Sequence, residues 1–131
     1  MGRRSRRRGA DQLGAKPGSL LPSGGLAAPE TPYEDAEGTV LVLRGAMTPA
    51  TRAQYAKVRG GGLNQEDAWQ RAVEFLFERL AVRWVIAGAE PIERQKELLA
   101  RFRFASREER AWIRDVLRRH LEANFPELDA P

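Results

Sequence analysis

Glu74 and Glu78 stand four positions apart, a spacing that puts two carboxylates on one face of a helix. Such a pair can bind a metal or share a proton, and di-iron bundles combine carboxylates of this kind with Glu-x-x-His motifs. The single histidine, His120, has Leu117 three positions before it, where that motif needs glutamate. With Arg71 and Arg79 close by, Glu74 and Glu78 read as salt-linked surface charge. No Ser or Asp stands at a triad-like spacing from His120. Following Val116 and Leu117 and preceding Leu121, it reads as a rim residue of a packed face. The absence of cysteine removes thiolate ligands, disulfides and a cysteine nucleophile. Gly60-Gly61-Gly62 lacks the Lys-Ser/Thr ending of a phosphate loop and reads as a hinge. These residues point to no enzyme: no catalytic residue, no cofactor and no metal site is expected.

The basic residues offer a different chemistry. Lys and Arg number 22 against 18 Asp and Glu, for a net charge of +4, and 19 of the 22 are arginine. So small an excess is a statement about solubility first. Arg3, Arg4, Arg6, Arg7 and Arg8 form an N-terminal cluster that could neutralise phosphates without any fold. Arg107, Arg110, Arg114 and Arg118 fall near one face of a helix that follows a short turn at Phe104-Ala105-Ser106, as in a helix-turn-helix. Glu108, Glu109 and Asp115 interleave with them, and Asp115–Arg119 and Glu97–Arg101 have the spacing of ordinary helix-surface pairs. Nucleic-acid contact by these nine arginines is therefore the second functional reading.

The elements that must position these residues are mostly helices. Residues 1–37 carry Gly, Pro, Ser and Ala with few large apolar groups, and read as a disordered arm, basic at its start and acidic at its end. Residues 38–131 read as the folded domain. Its strand, about 39–44, is the apolar run Val40-Leu41-Val42-Leu43 between Gly38 and Gly45. Thr48-Pro49 opens a helix to about 58. Asn64 caps a long helix over about 65–87, with Trp69, Val73, Leu76, Leu80 and Trp84 on one face. Pro91 opens a third, to about 104. Ser106 and Glu109 form a capping box for a fourth, over about 107–124. Trp69, Trp84 and Trp112 read as packing. The fold class expected is mainly α: a small bundle of about four helices with one short N-terminal β-strand and a disordered N-terminal arm.

A single strand cannot satisfy its own backbone groups. It must pair with a second copy, with a further short strand not evident in the sequence, or with a partner protein, and Val40, Leu41, Val42 and Leu43 are the expected partner-binding strand. No apolar run approaches the roughly 20 residues needed to span a bilayer. The expected site of action is the cytoplasm, with no membrane partner.

Three stretches carry a resemblance: Val73-Glu74-Phe75-Leu76-Phe77-Glu78-Arg79-Leu80, Gln95-Lys96-Glu97-Leu98-Leu99, and Arg107 to His120 with the ending Asn124-Phe125-Pro126-Glu127-Leu128. Over about residues 38–128 the chain resembles small proteins of tailed phages and prophages of GC-rich actinobacteria, and among them a tail assembly chaperone. The resemblance implies a non-catalytic helical protein that binds the tape-measure protein during tail building, in the host cytoplasm. It assigns no functional residue. The leading expectation is thus a protein-interaction or assembly factor.

Overall fold

The computed structural model describes residues 28–61 and 64–131. Seven elements follow one another: β1 (Glu30–Glu34), β2 (Val40–Arg44), α1 (Pro49–Gly60), α2 (Gln65–Leu80), β3 (Ala81–Val85), α3 (Gln95–Arg103) and α4 (Arg107–Asn124). The strands form one antiparallel sheet in the order β1-β2-β3, with helices packed on one of its faces. This corrects the bundle expected from the sequence: the fold is mixed, four helices with a three-stranded sheet.

The hydrophobic run Val40 to Leu43 lies in the central strand. Tyr33 faces Leu41 on one side and Trp84 faces it on the other, while Thr31 and Ala81 flank Leu43. Leu41 and Leu43 are fully buried, and Val40 and Val42 lie half-buried on the opposite face. The strand expected to pair with a partner already has neighbours on both sides, so its backbone is not open to another chain.

Both neighbours were hidden in segments that read as something else. β1 lies inside the stretch taken for a disordered arm, so the folded part begins before residue 38. An edge strand needs only one apolar face, and in Glu-Thr-Pro-Tyr-Glu only Thr31 and Tyr33 turn inward. The hairpin closes through Asp35, whose side chain accepts from Glu37 N and Thr39 N, while Gly38 takes a left-handed φ of 89°. β3 occupies what read as the last turns of a long helix. Val82, Trp84, Val85 and Ile86 are β-branched or aromatic, and β2 offers them a ladder of unpaired backbone groups. Helix α2 therefore ends at Leu80, with the Ala81 N–H still bonded to Phe77 O. Trp84 is in the core either way, because residues 80 and 84 can face inward from a helix or through the break.

The third helix also starts later than expected. Residues Pro91 to Arg94 stay outside it, and Ile92 exchanges two backbone bonds with Trp84, 2.9 and 3.0 Å, which covers part of the outer edge of β3. Arg94 gives α3 no side-chain cap, whereas Thr48, Asn64 and Ser106 cap α1, α2 and α4 as their sequences predict. The core brings Leu41 and Leu43 against Phe77 and Leu80 of α2, Phe102 of α3, Ile113 and Leu117 of α4, and Tyr55 of α1. Each such aliphatic or aromatic side chain contributes about 1.5–3 kcal/mol by burial. No helix among the described residues is long and apolar enough to cross a membrane.

Candidate protein-binding groove

Helix α4 begins at a capping box that is fully formed: Ser106 Oγ accepts from Glu109 N at 3.1 Å and Glu109 Oε1 accepts from Ser106 N at 2.9 Å. Burial alone would raise the Glu109 carboxyl. The Ser106 N–H and the Arg101 guanidinium, 2.7 Å away, outweigh it and hold the group below the usual carboxylate range. This fixes the first turn of α4 against α3. Asn64 does the same for α2, accepting from Asp67 N at 2.8 Å.

Between these two anchored helix starts lies a cleft of about 550 Å³. Trp69 and Val73 from α2, Phe102 from α3 and Ala105 and Ala111 make its apolar surface. Arg107, Arg110 and Arg114 line the α4 side, and Glu66 and Gln70 the α2 side. A second depression of about 380 Å³ shares Gln70 and Arg110 with it and continues along α2 past Glu74 and Phe75 to Glu78. It opens on the neighbouring face of α2, toward Val58 of α1.

The arginines are placed by aromatic rings and backbone oxygens. Arg114 lies 4.6 Å from the Trp69 ring centroid and Arg110 5.1 Å from that of Phe102. Arg110 donates to Arg103 O at 3.0 Å and to Ala105 O at 3.3 Å. Arg114 and Arg118 both donate to Pro131 O, at 3.3 and 2.8 Å. Neither these three nor Arg107 has an Asp or Glu side chain within ion-pair distance among the described residues. At the turn that ends the groove, Phe104 is 86 % exposed, the large hydrophobic residue standing farthest into solvent among those described.

The other residues singled out from sequence are dispersed. Leu41 and Leu43 lie in the core and Val40 and Val42 on the open sheet face. Arg3, Arg4, Arg6, Arg7 and Arg8 lie outside the described residues. Glu74 pairs with Arg103 of α3 at 2.9 Å, and Arg101 pairs with Glu109 rather than with its helix neighbour Glu97. Asp115 and Arg119 do form the expected surface pair, at 3.3 Å. Among the described residues no three His, Asp or Glu side chains are grouped to hold a metal. His120 is fully buried, a correction to its reading as a rim residue.

Sequence reasoning missed Trp69 as a surface-forming residue. It sits in the first turns of α2, next to the polar N-terminus, where the apolar stripe has not yet reached the sheet. Its ring is half-buried, and its Nε1–H has no hydrogen-bond partner among the described residues. Comparison of the chain with protein-family models, with curated proteins and with solved structures gave no match.

Proposed function

We propose that this chain is a non-catalytic protein-interaction module acting in assembly, and that the groove between α2 and α4 receives its partner. The observation that carries the reading is the juxtaposition of Trp69 and Phe102 with three arginines, Arg107, Arg110 and Arg114, that pair with no Asp or Glu among the described residues. Aromatic and arginine side chains in one concave, partly desolvated patch are the usual anchors of protein interfaces. Exposed Phe104 extends the patch. The titratable groups nearby are engaged in structure rather than poised for proton transfer: both nitrogens of buried His120 are hydrogen-bonded, and Glu109 is held by its cap. Taken with the resemblance to tail assembly chaperones, the reading makes the partner the tape-measure protein and the site of action the host cytoplasm.

The nucleic-acid reading uses some of the same arginines. Arg110, Arg114 and Arg118 already donate to backbone oxygens, which leaves fewer N–H groups for phosphates. A photo-crosslinking residue at position 70 of the full chain, activated in the host cell, separates the two. A defined protein adduct, lost in Trp69→Ala, is the expected result. An adduct to nucleic acid would transfer the function to the second reading, and the absence of any protein adduct would overturn the first.

A further inference from the structure

The groove's α2 wall runs from Glu66 to Val73, about two helical turns or about 10 Å at 1.5 Å per residue. Both long walls are helices, whose backbone N–H and C=O groups are closed within the helix. Arg103 O and Ala105 O, at the end of the groove, are taken by Arg110. An extended peptide laid here would find no ladder to pair with, and its backbone groups would be buried without partners. A helix satisfies its own backbone and presents a stripe of apolar side chains to a floor such as Trp69, Val73 and Phe102.

The two rims carry opposite charge. On the α4 rim Arg107, Arg110 and Arg114 pair with no Asp or Glu side chain among the described residues. On the α2 rim Glu66 forms no ion pair among the described residues. A visitor acidic on both flanks would meet Glu66, and one basic on both would meet the arginines. Opposite flanks of opposite sign satisfy both rims.

From this we infer that the groove takes an amphipathic helix of a partner protein, with an apolar stripe, acidic residues along the flank facing α4 and basic residues along the flank facing α2. This deepens the assembly reading and rests on it.

The test uses the full chain and labelled synthetic helical peptides sharing one apolar stripe: one with an acidic and a basic flank, one acidic on both, one basic on both, and the first with a central proline. Binding is followed by fluorescence anisotropy. The two-signed peptide should bind tightest and the doubly basic one about tenfold more weakly or worse. The proline peptide should lose binding. Arg107→Glu, at a side chain that makes no hydrogen bond among the described residues, should weaken the two-signed peptide and strengthen the doubly basic one. Equal binding of the proline peptide, no order among the charge patterns, or no binding by any peptide overturns the helix. If position 70 still crosslinks to a protein in cells, only the helix falls and the assembly reading stands. If the crosslink is to nucleic acid, to another part of the same chain or to nothing, the reading beneath it falls as well.

Discussion

The Tyr33 hydroxyl lies 2.9 Å from His120 Nδ1 and ties the edge strand β1 to the last helix, 87 residues away in sequence. The Arg44 carbonyl oxygen, 2.8 Å from Nε2, can only accept, so Nε2 carries the proton and Nδ1 accepts from Tyr33. The Asn124 amide also donates to Nδ1, at 3.2 Å. A neutral ring in one tautomer thus joins β1, β2 and α4 at a fully buried point.

Tyr33→Phe keeps the ring and removes the donor. It should cost about 1–2 kcal/mol, the value of one buried hydrogen bond, read from the urea midpoint of unfolding. An unchanged midpoint would mean that the Asn124 amide alone satisfies the imidazole.

His120 also predicts an acid limb. Burial holds its folded-state pKa below the ordinary value, against a smaller opposing effect of the Arg44 bond. The folded state therefore prefers the neutral ring. Its contribution is complete above the unfolded pKa of about 6.5 and is lost as pH falls through the lower folded value. The melting temperature should begin to drop once pH falls below about 6.5, and His120→Leu should remove this component. Glu109, whose folded pKa lies below 4.5, adds a separate loss at more acidic pH. A profile for His120→Leu identical to that of the parent chain would show that the ring does not titrate with unfolding.

Leu41→Pro places a ring in the central strand, where it removes a ladder donor and misfits two neighbours. The whole domain should lose structure, helical circular dichroism included. Removing residues 1–37 should likewise lower the melting temperature by several degrees, since β1 and the Tyr33 bond go with it. Retained helicity in the first variant, or an unchanged transition in the second, would mean that the sheet folds apart from the helices.

Two residues that read alike in sequence should differ in effect. Leu80 is fully buried and Trp112 only partly so. Leu80→Ala should cost about 2–5 kcal/mol. Trp112→Ala should cost clearly less, as comparative denaturation will show; equal losses would place Trp112 in the core.

The helices were legible where side chains announce their ends. Thr48-Pro49, Asn64 and the Ser106/Glu109 box all cap as their sequences imply. Of the strands, β2 was legible from its apolar run, but β1 and β3 were not, because their signals depend on it. Glu30–Glu34 is recognisable as a strand only once β2 is there to pair with it. Ala81–Val85 carries helix-compatible spacing and β-forming residues together, and the unpaired side of β2 decided between them. The groove was half legible. The arginine row of α4 follows from its spacing, but the rings that Arg110 and Arg114 cover come from other helices, and no pattern within one segment reveals that.

Pro32 has a consequence for stoichiometry. The pairings of Pro29 with Gly45 and of Asp35 with Thr39 set the alternation of β1, so that the nitrogen of Pro32 points away from β2, where a further strand would seek a donor. Ile92 occupies Trp84 at the opposite border. A sheet so bordered is a poor seed: copies cannot readily add to it one after another as they do in a fibril. Binding through side chains in the proposed groove would saturate instead, so that a large excess of the chain over a partner would still give complexes of defined size.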